Sequence, residues 1–134
     1  MIAFTVPGEA VPWSVHHRGD PKAARMKAYK QEVAWAANLA MGSLPPARCP
    51  VVLSIVAYRA KGLPKAKAAR AAALAGLVCP VKRPDATNLQ KNIEDALQGI
   101  CYENDSAVVD VRTRKRYGDP ARVEIEVSEW EPGI

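Results

Sequence analysis

Residues 83–110 hold the side chains whose types and spacing could do chemistry. Asp85 stands just ahead of a helix start, Lys91 lies within that helix, and Asp105 returns in an acidic turn behind it. Carboxylates beside basic residues suit metal-assisted work on phosphate esters. Cleaving a phosphodiester at neutral pH needs a nucleophilic water and a means of offsetting charge on the phosphate. Mg2+ supplies both when a few carboxylates hold it and leave it several waters. A nearby lysine holds the phosphate or the leaving group as a point charge. Asp85 sits where the orphan N–H groups and the dipole of a helix start favour anions.

Each of these residues also has a structural use. Thr87 with Gln90 spells a capping box, which makes Thr87 the helix cap. Lys91 and Asp95 are four apart and form an exposed helix pair worth a few tenths of a kcal/mol. Asp110 shares a strand face with Arg112 and can pair with it. Glu103 and Asn104 are ordinary turn residues. His16 and His17 read as surface histidines of a loop, with no second ligand signal beside them.

The elements that must position this cluster follow in chain order. Ile2–Val6 is a short apolar strand stopped by Pro7-Gly8. Asp20-Pro21 predicts an N-cap followed by proline at the first helical position, and Gly42 a helix end. Between them Met26, Tyr29, Val33, Ala37 and Ala40 recur at helical spacing. Ala28, Trp35 and Leu39 fall on a second apolar side, which offers an interface to a partner subunit. Val51–Arg59 is rich in β-branched residues and reads as a strand. Residues 60–83 contain Lys61, Lys65, Lys67, Arg70, Lys82 and Arg83 and no acid, around a short alanine-rich helix between Pro64 and Gly76. Such a stretch is either a solvated helix or an arm that contacts phosphates.

The central helix carries Leu89, Ile93, Ala96, Leu97 and Ile100 on one face and ends at Gly99. Residues 107–116 then alternate, with Asp110, Arg112, Arg114 and Arg116 on one face and Val109, Val111 and Thr113 on the other. The turn at Tyr117-Gly118-Asp119-Pro120 and the alternation through Val123, Ile125 and Val127 predict a C-terminal β-hairpin. In that hairpin Arg112 and Arg114 pair across the strands with Glu124 and Glu126. Lys115 and Arg116 are freer to meet DNA. The whole reads as an α+β fold: a small mixed sheet of N-terminal strand, central strand and C-terminal hairpin, packed with two to three helices.

The chain has 134 residues, enough for one domain with a single core. A net charge of +5 and a pI near 9.3 favour a polyanionic partner. Cys49, Cys79 and Cys101 are odd in number and far apart, which argues against a disulfide framework or zinc site and for a reducing cytoplasm. No signal-peptide pattern opens the chain, and no run approaches the roughly 20 apolar residues of a membrane span.

The central stretch resembles the RusA family of Holliday-junction resolvases, whose members carry Pro-Asp-x-Asp-Asn-Leu-x-Lys, then Asp-Ala-Leu, a glycine, and a turn with an Asp-Asp pair. The counterparts are Pro84-Asp85-Ala86-Thr87-Asn88-Leu89-Gln90-Lys91, Asp95-Ala96-Leu97, Gly99 and Glu103-Asn104-Asp105-Ser106. Val6-Pro7-Gly8 and the basic segment Lys65–Gly76 extend the likeness more loosely. The resemblance implies a small α+β homodimer and a Mg2+-dependent endodeoxyribonuclease, with Mn2+ able to substitute. Such an enzyme nicks opposing strands of a four-way DNA junction in recombination and repair. It implies Asp85, Asp105 and Lys91 as catalytic residues, with Asp85 and Asp105 on the metal. Lys65, Lys67, Arg70, Lys82, Arg83 and Arg116 then hold the DNA backbone.

Two positions depart from the pattern. Thr87 stands at the second motif aspartate and Asn104 at the first residue of the Asp-Asp pair. Thr keeps a cap and loses a strong metal ligand. Glu103, Asp95 or Asp110 is then expected to compensate. The rival expectation is a catalytically weak or silent protein that binds junctions. A third is a soluble domain whose charges only solvate it.

Overall fold

Strand β2 (Val51–Arg59) lies inside a four-stranded mixed sheet, in a computed structural model that describes residues 1–133. Around it come β1 (Ile2–Pro7), helix α1 (Pro21–Met41), helix α2 (Lys67–Leu74), helix α3 (Ala86–Leu97), a 3-10 turn (Asp105–Ala107), β3 (Val108–Tyr117) and β4 (Arg122–Glu129). This is the α+β arrangement expected. The sheet order is β1-β4-β2-β3.

That order corrects one expectation. β3 and β4 are joined by a short turn but are not a hairpin, because β2 lies between them. β2 pairs parallel with β3 and antiparallel with β4. β2 has the strongest apolar pattern, with Val51, Leu53, Ile55 and Ala57 all buried, so it takes the position with neighbours on both edges. The consequence for the arginines is direct. Arg112 and Glu126 flank Ser54, and Arg114 and Glu124 flank Val56, each pair two strands apart. Glu124 pairs instead with Arg122 on its own strand, at 3.2 Å. Arg112 and Arg114 make no ion pair among the described residues.

One face of the sheet carries the core. Leu53, Ile55, Val123 and Ile125 meet Tyr29, Val33 and Ala37 of α1 and Leu89, Ile93 and Leu97 of α3. Asp20 caps α1 as predicted, its carboxylate accepting the Lys22 N–H at 2.9 Å. Gly42 closes that helix with φ 57°, a conformation glycine adopts without a Cβ penalty. The alternation predicted for β3 holds from Asp110 onward, where Arg112, Arg114 and Arg116 share the face of Ser54, Val56 and Tyr58. A register shift between Val51 and Val52 breaks it at the start. Val108 therefore packs on the core, and Val109 points outward, 55% exposed. Trp35 and Leu39 form the second apolar side of α1 and are each 67% exposed, facing a groove lined by Thr5, Val6 and Pro7 of β1.

Candidate functional site

Helix α3 organises the candidate site, and its start differs from the expectation. The N-cap is Asp85, whose backbone is extended (φ −71°, ψ 142°) and whose carbonyl accepts from the N–H groups of Asn88 and Leu89. Thr87 is already the second residue of the helix, so the Thr87–Gln90 capping box does not form. The chain is extended at Asp85 and turns helical two residues earlier than the box requires. The Asp85 side chain makes no capping hydrogen bond and is exposed, as is Thr87.

At 100° per residue, Thr87, Lys91, Glu94 and Gln98 fall on one stripe of α3, exposed at Thr87, Lys91 and Gln98 and half-buried at Glu94. Neither end of the predicted Lys91–Asp95 pair is used that way. Asp95 reaches across to Lys30 of α1 at 3.5 Å. Lys91 instead stands over the indole of Trp13, its Nζ 3.5 Å from the ring centroid. Gln90 accepts a hydrogen bond from the Thr113 hydroxyl at 2.9 Å, which docks α3 on β3. The Nζ of Lys115 donates to the carbonyls of Lys82 and Pro84, at 2.9 and 3.0 Å, and fixes the segment before Asp85.

Asp105 opens the 3-10 turn behind the helix. Its N–H donates to Gln98 Oε1 at 3.3 Å, and Asn104 accepts the Ser106 N–H at 3.0 Å. Asp85 therefore lies at one end of the stripe and Asp105 at the other. From Asp85 to Gln98 is thirteen helical steps, which at about 1.5 Å per residue separates them by roughly 20 Å. The neighbouring strand agrees, running back from Asp105 at Gln98, past Thr113 at Gln90, to Lys115 at Pro84. Among the described residues no three His, Cys, Asp or Glu side chains come together in a way that could hold a metal ion.

The residues named as compensating carboxylates are mostly occupied. Glu103 accepts from Arg48 at 2.9 Å, and Asp95 pairs with Lys30. Asp110 is exposed on the uncovered sheet face beside Val52. The carboxylate missed in the sequence is Glu94. Burial raises its pKa above the ordinary value, a hydrogen bond from Gln90 works the other way, and the charges of Asp105 and Asp95 raise it further. The signal was present, since Thr87, Lys91 and Glu94 recur at helical spacing. The buried Tyr102 hydroxyl donates to the Glu94 carbonyl at 2.8 Å and fixes this end of the helix. Trp13 was also missed, because nothing local ties residue 13 to residue 91.

The basic residues divide. Lys65, Lys67, Lys82 and Arg83 have exposed side chains, while Arg116 is half-buried with its guanidinium donating to the Lys115 carbonyl at 2.8 Å. Arg70 is held by Asp119 at 2.8 Å and ties α2 to the turn after β3. The Arg83 carbonyl accepts from Arg59.

Comparison with known proteins adds two findings. The sequence profile of the RusA endodeoxyribonucleases matches residues 14–128. The uncharacterized protein YqaN of Bacillus subtilis (strain 168) is 34% identical over 140 aligned positions, which cover 96% of each chain.

Proposed function

This chain belongs to the RusA endodeoxyribonuclease family, and from that premise we propose that it resolves four-way DNA junctions as a Mg2+-dependent homodimer, with Mn2+ able to replace Mg2+. The observation that carries the reading is the exposed α3 stripe, with Asp85 and Asp105 at its ends and Lys91 between them. When bound, the cation lowers the pKa of a water nucleophile and offsets charge on the phosphate. Lys91 holds a phosphate oxygen near the scissile bond as a point charge. Lys65, Lys67, Lys82, Arg83 and Arg116 hold backbone phosphates on either side.

Thirteen helical steps, roughly 20 Å, separate Asp85 from Gln98, beside which Asp105 sits, and that placement is why the dimer matters to the chemistry. A two-fold axis gives each subunit the same patch in reciprocal orientation. In the proposed dimer, Asp105 of one subunit meets Asp85 of the other, so two equivalent centres face the two strands of a two-fold junction. Such a dimer joins on the α3–β3 flank rather than through Trp35 and Leu39, which look out on the β1 flank.

The test is incubation of the purified protein with a mobile four-way junction and Mg2+ or Mn2+. Symmetric nicking is expected, and an intact junction across a range of pH defeats the catalytic reading. A second reading, a junction-binding protein with little cleavage, is favoured by Thr87, an exposed hydroxyl where the family has an aspartate. Thr87→Asp separates the two. If the native centre works, adding this carboxylate lowers the half-saturating Mn2+ concentration by about tenfold and changes maximal cleavage little. A native protein that binds junctions tightly, cleaves only once Thr87→Asp is made, and does so at many times the native rate belongs to the second reading.

A further inference from the structure

The loop before α1 is fastened to α3 at two points that bracket Lys91. The Trp13 N–H donates to the Asn88 carbonyl at 3.0 Å, and the Asn92 side-chain amide donates to the Val11 carbonyl at 2.8 Å. Asn92 is fully buried and is the one buried polar residue among those described. A polar side chain in a core costs free energy unless it is hydrogen-bonded; the bond to Val11 offsets part of that cost, while the buried Asn92 Oδ1 has no partner among the described residues. Both tethers hold the backbone around Trp13 against α3, and its indole lies under the ammonium of Lys91 at 3.5 Å.

An exposed lysine on a helix ordinarily samples many rotamers. A ring face attracts the ammonium through its quadrupole. Helical side chains lean toward the N-terminus of their helix, which directs Lys91 toward Asp85. The stack therefore fixes where one positive charge stands relative to the helix start.

We propose that Trp13 is the positioning residue for Lys91, holding its ammonium on the open stripe of α3 in the orientation used against a DNA phosphate. This rests on the reading of Lys91 as the catalytic lysine. Trp13 itself touches no reacting atom, and its effect passes through Lys91.

The experiment has a spectroscopic arm and a kinetic arm. In the native protein, NMR should show the Lys91 Hε methylene protons shifted upfield by the indole ring current. Trp13→Leu, which keeps apolar bulk and removes the aromatic face, should abolish that shift, and Trp13→Tyr should retain part of it. Ordinary Lys91 shifts in the native protein overturn the stack whatever the enzyme does. In single-turnover cleavage of a four-way junction, Trp13→Leu should lower the rate by about five- to tenfold, with junction affinity nearly unchanged and Trp13→Tyr restoring most of the rate. In a Lys91→Ala background, Trp13→Leu should cost nothing further, since the two residues act as one unit. Equal losses in both backgrounds would make Trp13 a structural residue only and overturn the proposal. Lys91→Ala cleaving at the native rate removes the catalytic role of Lys91, and with it the catalytic use of the stack. The ring-current shift would still report the stack itself.

Discussion

Mixing two dead proteins should restore cleavage. Asp85→Asn and Asp105→Asn each keep the size of the side chain and remove its charge, and each alone should lower junction nicking by at least about a hundredfold. In a heterodimer of the two variants, one shared centre carries both substitutions and the other carries none. Random reassortment then leaves about a quarter of all centres intact. Because each heterodimer has one working centre, the product should be a junction nicked on one strand rather than two resolved duplexes. The measurement is denaturing electrophoresis of a junction labelled on each strand in turn. If the mixture stays as inactive as its parts while subunit exchange is shown by mass, the centres are not shared. The expectation comes from the rise of helix α3, which sets Asp85 roughly 20 Å from Gln98, where the N–H of Asp105 docks.

Raising the salt should have an effect of similar size on binding. Each phosphate neutralised by Lys or Arg releases condensed counterions, and the logarithm of the affinity falls by about 0.9 per contact for each decade of salt. Lys65, Lys67, Lys82, Arg83 and Arg116, together with the unpaired Arg112, provide enough cations for six contacts. Between 50 and 200 mM salt, junction affinity should fall by about a thousandfold or more. Lys67→Ala should flatten the salt slope by about one contact. Arg70→Ala should flatten it less, because Asp119 already holds that guanidinium at 2.8 Å. The assay is a fluorescence-anisotropy titration with catalysis blocked by a chelator. Affinity that does not change with salt would remove phosphate contact as the basis of binding.

The contrast between Arg70 and Lys67 shows what a linear sequence does and does not carry. Signals that act within a few residues were legible. Asp20-Pro21 and Gly42 bound α1, the β-branched run made β2, and the apolar spacing of Leu89, Ile93 and Leu97 made the buried face of α3. Choices between competing partners were not. Lys91 had Asp95 one turn away, yet Trp13 and Lys30 took the two ends of that pair. Arg112 and Arg114 had Glu124 and Glu126 across a plausible turn, yet β2 came between them. In each case a local interaction worth a few tenths of a kcal/mol yielded to an arrangement fixed by burial of β2 and α3. The functional stripe was half-visible: its residue types could be read, while the distance between its ends required the helix to be placed beside β3.

The strand order also bears on how the chain comes off the ribosome. β2 is made early, but the partners for its two edges, β3 and β4, follow some fifty residues or more later, and β1 pairs only with β4. While residues 60–107 are being synthesised, the most apolar strand of the protein has neither edge covered. The sheet closes only when its last strand emerges. Contacts this distant in sequence fold slowly and leave strand edges exposed to other nascent chains. The acid-free segment at residues 60–83 emerges directly behind β2, so the cations read here as a grip on DNA also give the unfinished chain a repulsive charge during that interval.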